Sequence, residues 1–214
     1  MARVAITFDD GPAEWTAPIL DVLAANNARA TFFVIGSVIE ERADVLRRIV
    51  AEGHEVGNHT WSHPWLARDC DDERIHRELE RTNMLLSELL GSPPRRFRAP
   101  RYDVDERVIA VAQCLGLTHT RGDVTPPDWD ERCTASFIAT YVLQQARDET
   151  IVGLHDGVPP TTRSSKNQQA TVDAVAAIVP RLRERGFECV TVSALLGAER
   201  TRDAECRSPE PADS

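Results

Sequence analysis

The sequence lacks any apolar run approaching the roughly 20 residues that a helix needs to cross a bilayer. It also lacks an excess of positive charge, because 34 Asp and Glu residues outnumber 25 Lys and Arg residues and the formal net charge is -9. Nucleic acids and anionic membrane surfaces are bound by clustered Lys and Arg, so this balance argues against both kinds of partner. The sequence therefore predicts a protein that neither binds nucleic acid nor associates with a membrane.

A paired-cysteine motif and an N-terminal secretory segment are also missing. The cysteines are far apart and include no Cys-x-x-Cys pair, which argues against a disulfide framework or a thiolate zinc site and favours reduced thiols. They are Cys70, Cys114, Cys133, Cys189 and Cys206. Met1-Ala2-Arg3 runs directly into a strand pattern and leaves no room for a signal peptide. We therefore expect a cytoplasmic protein, or an extracellular one only if a signal peptide has been removed.

What the sequence does contain is an alternation of apolar strand patterns with amphipathic helix patterns. Its 214 residues, 42% hydrophobic and 28% charged, suit one globular domain. Strand patterns occur at 3–8, 30–35, 55–57, 96–98, 117–120, 150–154 and 188–192. The alternation predicts an α/β fold with a parallel sheet and right-handed crossovers. Beyond Leu196 the chain is polar and contains prolines, so we expect a domain at 1–197 and a disordered tail at 198–214.

Polar side chains follow the ends of several different strand patterns. These residues are Asp9 and Asp10 after the first strand, His59 and His63 after the third, Arg98 after the fourth, Asp123 and Asp128 after the fifth, and His155 after the sixth. Groups at the C-terminal ends of many strands converge only if the strands are parallel and wound around a common axis. The sequence therefore predicts an irregular (β/α)7-type barrel with its chemistry at one end.

The Asp9-Asp10-Gly11-Pro12 turn places two carboxylates at the tip of the first strand, where one can bind a cation while the other remains free as a base. Taken alone, such a turn is more often an ordinary solvated one. His59 and His63 lie four residues apart, and a helical turn would put both imidazoles on one face within reach of one ion. Two histidines and one carboxylate leave coordination positions open, which indicates a catalytic metal rather than a structural one.

Arg98 and His155 extend this constellation. In a pocket with two carboxylates, Arg98 would pair with the one that does not bind the metal; the alternative is an ordinary surface salt bridge. His155 follows an apolar strand and is expected to be partly buried. A histidine beside an ionised carboxylate can donate a proton near neutral pH, whereas the alternative is a hydrogen-bonded loop histidine.

Five motifs occur in a fixed order along the chain. They are Thr7-Phe8-Asp9-Asp10-Gly11-Pro12, His59-Thr60-Trp61-Ser62-His63, Arg98-Ala99-Pro100, Asp128-Trp129 and Leu154-His155. Together they resemble the polysaccharide deacetylase family, the NodB-homology enzymes of carbohydrate esterase family 4. The resemblance covers residues 4 to about 196.

The resemblance implies roles for the first three motifs. Asp10, His59 and His63 would bind a divalent metal, usually zinc, with cobalt, nickel and manganese as alternatives. Asp9 would act as the general base that takes a proton from the attacking water. Arg98 would orient Asp9.

The resemblance also implies a general acid and a set of substrate contacts. His155 would protonate the leaving group, with Asp128 as its charge partner and Asp123 as a second candidate, because the fourth motif is longer than is usual in the family. The implied substrate contacts are the backbone N–H of Arg101 together with Tyr102, Trp129 and Leu154. Arg101-Tyr102 stands where the family commonly has an aromatic residue after the third-motif proline, so the pocket wall is expected to differ.

The predicted function is metal-dependent hydrolysis of the N-acetyl group of an amino sugar, an amidase reaction on a linear C–N bond. The substrate would be a chitooligosaccharide, peptidoglycan, or a small glycan or metabolite. One alternative is an O-acetyl esterase acting on xylan, and another is a non-catalytic carbohydrate-binding relic of the fold. Asp9 and His155 argue against the relic, because a binding protein needs neither a free base nor an acid. The sequence leaves the oligomeric state open.

Overall fold

The centre of the molecule is a curled sheet of parallel strands, seen in a computed structural model that describes residues 1–162 and 168–197. Within those residues the strands are β1 (Ala2–Asp9), β2 (Ala30–Val34), β3 (Glu55–Asn58), β4 (Arg96–Phe97), β5 (Thr118–His119), β6 (Thr150–His155) and β7 (Phe187–Cys189). The order across the sheet is β5-β4-β3-β2-β1-β6, and β7 pairs with the first half of β1. Every pairing is parallel, as the strand and helix alternation predicts.

Helices connect the strands and cover the outside of the sheet. They are α1 (Thr16–Ala25), α2 (Ala43–Ala51), α3 (Leu66–Asp69), α4 (Asp72–Leu90), α5 (Glu106–Cys114), α6 (Ala135–Gln145) and α7 (Gln169–Glu184). Short 3-10 turns lie at Gly36–Val38, Glu40–Arg42 and Pro100–Tyr102. Among the residues described, no helix combines the length and apolarity required to span a membrane.

The barrel closes between β5 and β6 through an irregular segment rather than a full strand. Val124 forms an isolated parallel bridge with Val152 on β6. The backbone N–H groups of Asp123 and Val124 both donate to the Ile151 carbonyl, and Gly153 donates back to Val124. This closure explains why the barrel is irregular, and the predicted single-domain α/β barrel class is confirmed.

The register of the strands aligns their C-terminal ends along one edge of the sheet. Asp9 on β1 pairs with His155 on β6 and with Phe33 on β2. On the other side of β2, Asn58 at the end of β3 pairs with Phe97 at the end of β4. The residues that follow these ends therefore enter one region of space, where the polar residues converge.

The core beneath that region is apolar and tightly packed. Phe8 and Phe32 on adjacent strands are fully buried, with ring centroids 5.0 Å apart. Full burial of each such side chain contributes about 1.5–3 kcal/mol. A second apolar cluster, which includes Ile75 of α4 and Phe97 of β4, supports the other side of the sheet. The site is thus built on rigid strands.

Helix α4 is capped at both ends. The Asp71 side chain accepts a hydrogen bond from the Arg74 backbone N–H at 2.8 Å, which caps the start of the helix. Gly91 adopts a left-handed conformation, φ 79°, at its end. This helix carries Glu78, which contacts the loop after β3.

Two expectations concern regions away from the site. The described cysteines, Cys70, Cys114, Cys133 and Cys189, are all free thiols, in agreement with the absence of a disulfide framework in that part of the chain. Cys206 and the tail predicted at 198–214 lie outside the described residues.

Candidate active site

Asp10, His59 and His63 form a buried cluster at the C-terminal edge of the sheet. Asp10 Oδ1 lies 3.3 Å from His59 Nε2 and 3.2 Å from His63 Nε2. One ligand atom from each residue lies within 4.8 Å of the other two. The side chains come from the loops after β1 and β3, as their positions at strand ends predict.

The hydrogen bonding of His59 indicates what this cluster can hold. Its Nδ1 lies 2.8 Å from the Arg98 carbonyl oxygen, which can only accept, so Nδ1 carries a proton and Nε2 is the ring nitrogen that faces Asp10 and can coordinate a cation. Asp10 Oδ1 is buried without a hydrogen-bond partner among the described residues. A buried carboxylate oxygen that faces two imidazole nitrogens is a donor set that fits a divalent metal.

The protonation of the other two groups agrees with metal binding. Burial alone would raise the pKa of the Asp10 carboxyl, but the neighbouring imidazoles of His59 and His63 hold that pKa well below its usual range. Burial lowers the pKa of His63, so its imidazole is neutral near pH 7 and its nitrogen is free to coordinate. The cluster therefore offers one carboxylate oxygen and two imidazole nitrogens.

The loop that carries both histidines is not helical, so the prediction that they share one face of a helical turn is wrong. Thr60 and His63 have positive φ angles of 68° and 59°. The Asn58 side chain accepts from the Thr60 N–H at 2.7 Å, and the Thr60 hydroxyl accepts from the His63 N–H at 3.0 Å. These side-chain bonds replace helical backbone bonds, and the turn they form still directs both rings to Asp10.

Glu78 of α4, which is not among the predicted site residues, holds the same loop. Its carboxylate accepts from the Trp61 N–H at 3.0 Å, the Ser62 N–H at 2.8 Å and the Ser62 hydroxyl at 2.7 Å. The sequence pattern of α4 could have indicated this role, because Glu78 lies on the buried face of the helix beside Ile75 and Leu79. An acidic residue on an apolar helix face indicates a buried polar contact.

Arg98 is fully buried behind the cavity and forms an ion pair with Asp9. Its Nη1 donates to Asp9 Oδ1 at 2.8 Å and to the Thr7 hydroxyl at 2.7 Å, while Nε donates to the Thr120 carbonyl at 3.1 Å. The guanidinium carbon also lies 4.2 Å from the centroid of the Phe33 ring. The arginine is thus fixed from several sides and pairs with the carboxylate outside the metal cluster.

His155 is paired with Asp128. The His155 Nδ1 lies 2.7 Å from Asp128 Oδ1, and its backbone N–H donates to Asp128 Oδ2 at 2.8 Å. Thr171 donates a further hydrogen bond to that second oxygen at 3.0 Å. Burial alone lowers the pKa of His155, but the Asp128 carboxylate outweighs it and raises that pKa to about 10, with smaller contributions from Asp10 and Asp9.

Asp123, the second candidate for the partner of His155, stabilises the barrel closure instead. Its Oδ2 accepts from the Ile151 N–H at 2.8 Å within the segment that closes the barrel. The Trp129 ring packs edge-on against His155 at a centroid distance of 5.5 Å.

A cavity of about 470 Å³ joins these groups, within the range typical of ligand pockets. The predicted site residues that line it are Asp9, Asp10, His59, His63, Arg101, Tyr102, Trp129 and His155. Arg98 and Asp128 lie behind the lining and contact Asp9 and His155. The side chain of Leu154 belongs to the hydrophobic core and is not among the lining residues. Trp65 and Gln168 also line the cavity, although the sequence analysis gave them no role in the site.

A barrel that carries two histidines and one carboxylate at its C-terminal edge, beside a carboxylate–arginine pair and a histidine–carboxylate pair, defines the class of metal-dependent hydrolases. The family model described as polysaccharide deacetylase matches residues 2–120. The chain belongs to this family, as its five motifs predict.

Individual relatives agree with this assignment. The chain is 40% identical over 193 residues to a chitooligosaccharide deacetylase from Bradyrhizobium sp. (strain ANU 289), covering 86% of each protein. It is 32% identical to the solved structure of the peptidoglycan deacetylase PdaC from Bacillus subtilis, with a TM-score of 0.83 and coverage of 95% of this chain and 94% of the other. It is 35% identical to a family 4 acetyl xylan esterase from Clostridium thermocellum in complex with a cobalt ion, with a TM-score of 0.80 and coverage of 91% and 90%. The predicted enzyme class, a carbohydrate deacetylase, is confirmed.

Proposed function

We propose that the protein removes N-acetyl groups from an N-acetylated amino sugar in a chitooligosaccharide, in peptidoglycan or in a small glycan. The observation that carries this proposal is the convergence, in one cavity, of a three-residue metal cluster, a carboxylate outside that cluster and a protonated histidine. The names of the relatives support the substrate class, since one acts on chitooligosaccharides and another on peptidoglycan.

Asp10, His59 and His63 would hold the metal, which we propose to be zinc, with cobalt, nickel or manganese as substitutes. Two imidazole nitrogens and one carboxylate oxygen suit zinc and leave coordination positions open. A bound divalent cation supplies Lewis-acid polarisation of the acetyl carbonyl. The residues of the chain supply the binding, the orientation and the proton transfers.

Asp9 acts as the general base in this proposal. Its carboxylate lines the cavity and is outside the metal cluster, so it is available to accept a proton from the attacking water. Arg98 holds it in position by donating a hydrogen bond from Nη1 to Asp9 Oδ1, and Thr7 fixes Arg98 by accepting a second bond from the same nitrogen. Arg98 is therefore a positioning residue.

His155 acts as the general acid, because an amide nitrogen leaves only after it gains a proton. The raised pKa of His155, about 10, keeps the imidazole protonated at neutral pH. Asp128 fixes the ring through Nδ1 and leaves the other ring nitrogen to face the cavity, which His155 lines. Asp128 is thus the partner that maintains both the charge and the orientation of the acid.

The substrate contacts proposed are the backbone N–H of Arg101, directed to the oxyanion that develops on the acetyl group, and the rings of Tyr102 and Trp129. Trp129 is 55% exposed, so an apolar indole surface is available to a sugar ring beside the acid. The buried position of Leu154 leaves its side chain no such contact.

The test is acetate release from a panel of N-acetylated oligosaccharides, peptidoglycan fragments and acetylated xylan. Chelation should abolish release and zinc should restore it. Asp9→Asn should abolish turnover while retaining bound metal, and Asp10→Asn should lose the metal as well. Full activity without metal, or in Asp9→Asn, would contradict the proposal.

An O-acetyl esterase is the second candidate, favoured by the similarity to an acetyl xylan esterase. Acetate release from acetylated xylan, without release from any N-acetylated sugar, would establish it in place of the first. Metal-independent glycan binding without turnover would instead support the non-catalytic alternative.

A further inference from the structure

Arg101 stands in an unusual backbone conformation at the wall of the cavity. It has φ 56° and ψ 18°, and Tyr102 after it has φ 55°, so two consecutive non-glycine residues are left-handed. Such conformations persist only where surrounding contacts hold them, and they concentrate at functional sites. Here the Tyr102 N–H donates to the Ala99 carbonyl at 3.0 Å, and the Asp103 N–H donates to the Pro100 carbonyl at 3.0 Å.

The Arg101 guanidinium is positioned by the loop that carries the metal cluster. Its Nη1 donates to the His63 carbonyl oxygen at 3.3 Å, and its central carbon lies 4.7 Å from the centroid of the Trp65 ring. The Arg68 guanidinium also contacts this ring, at 4.3 Å. Because both guanidinium contacts fall on Trp65, we assign this tryptophan to holding Arg101 in place rather than to stacking on a sugar.

Arg101 is solvent-exposed and forms no ion pair within the part of the chain that the structure describes, although the Asp10 and Asp103 carboxylates act on its charge at longer range. Arg68 has a bidentate partner in Asp69, at 2.9 and 2.8 Å. The Asp103 carboxylate accepts from the backbone N–H groups of Ala67 and Arg68 at 2.9 and 3.1 Å. No described carboxylate forms an ion pair with Arg101, and no other Lys or Arg in residues 1–162 and 168–197 lines the cavity.

We propose that Arg101 is a specificity-determining residue that binds a carboxylate on the substrate, so that the preferred substrate carries an acidic sugar or substituent near the N-acetylated sugar. This inference rests on the proposed function and narrows its substrate class. A guanidinium binds a planar carboxylate through two parallel hydrogen bonds, and the single bond to His63 leaves donors of Arg101 free for that purpose.

The test compares fully N-acetylated chitotetraose with its derivatives in which one C6 hydroxymethyl group is oxidised to a carboxylate; these derivatives are isomers that differ in the position of the carboxylate. We expect the wild type to show about tenfold higher kcat/KM for at least one carboxylated isomer, a ratio that one charge-assisted hydrogen bond can supply. Arg101→Met should abolish the ratio, and Arg101→Lys should retain part of it. Arg68→Met, on the same tryptophan but outside the lining, should leave the ratio unchanged. Raising the salt concentration should reduce it.

Binding of the same sugars to the Asp9→Asn variant, measured by calorimetry, separates this inference from the proposed function. If the wild type releases no acetate from these sugars, from other N-acetylated oligosaccharides or from peptidoglycan fragments, the proposed function fails, and the ratio of affinities still tests Arg101. Equal affinity for the uncharged parent sugar and all carboxylated isomers would overturn the inference. So would a carboxylate preference that persists in Arg101→Met or that is insensitive to salt, and the salt measurement decides even if Arg101→Met does not fold.

Discussion

Replacing Asp128 by Asn should move the alkaline limit of activity to lower pH. Against the opposing effect of burial, Asp128 makes the largest contribution to raising the pKa of His155 from 6.5 to about 10, and Asp10 and Asp9 make smaller ones. That difference corresponds to about 5 kcal/mol in favour of the imidazolium, at about 1.4 kcal/mol per pH unit. Since His155 must be protonated to act as an acid, activity in the wild type should persist until the pH approaches this raised value.

The Asp128→Asn substitution removes the negative charge but keeps the size and shape of the side chain. Burial then dominates, and the pKa of His155 should fall to or below its ordinary 6.5. At pH 8 an imidazole with that pKa is about 3% protonated, so kcat/KM at pH 8 should drop at least about 30-fold while the loss at pH 6 is much smaller.

The assay is the pH profile of kcat/KM for acetate release by the zinc-loaded enzyme. Asp123→Asn is the matched control, because this carboxylate lies in the same loop but contacts Ile151 rather than His155. In Asp123→Asn, kcat/KM should decline at the same alkaline pH as in the wild type. An unchanged limb in Asp128→Asn, or an equal displacement in Asp123→Asn, would refute the assignment of the acid and its partner.

Three further predictions concern groups around the site. Glu78→Gln weakens the support of the histidine loop and should lower zinc affinity about 10-fold or more, measured by competition with a chelator, whereas unchanged affinity would mean that the loop holds its shape alone. Arg98→Met leaves Asp9 without its buried partner and should lower the free energy of unfolding by about 3–5 kcal/mol in urea titrations. Burial raises the pKa of Asp156 from 3.8 to about 7, so this group retains a proton in the folded state that it loses in the unfolded chain, and its contribution to the free energy of unfolding of the metal-free protein falls between about pH 4 and 7. His54 and His119 act in the opposite direction over this range, because burial lowers the pKa of each from 6.5 to about 4. The free energy of unfolding of Asp156→Asn should therefore rise more steeply with pH than that of the wild type, and the same slope in both proteins would contradict this.

The strands could be predicted from the sequence because parallel strands covered on both faces read as continuous apolar runs. The run at 150–154 corresponds to β6, Thr150–His155, and the run at 30–35 to β2, Ala30–Val34. The closure of the barrel could not be predicted, because the bridge between Val124 and Val152 involves a segment without a strand pattern. Its geometry depends on the Asp123 carboxylate and on contacts distant in sequence.

The residue types of the site could be predicted from their positions at strand ends, but two features depended on tertiary contacts. Spacing along the chain does not distinguish Asp123 from Asp128, since both follow β5, and only packing against β6 gives them different partners. The conformation of the histidine loop was also wrong as a helix. Local side-chain bonds from Asn58 and Thr60, together with the remote carboxylate of Glu78, determine that loop.

In the proposed mechanism one divalent ion is held by Asp10, His59 and His63 while Asp9 stays outside its coordination sphere. The decisive experiment is anomalous diffraction at the zinc edge from crystals of the reconstituted protein. We expect a single strong peak about 2.0–2.2 Å from Asp10 Oδ1, His59 Nε2 and His63 Nε2. A peak coordinated by Asp9, or zinc bound elsewhere with this cluster empty, would contradict it.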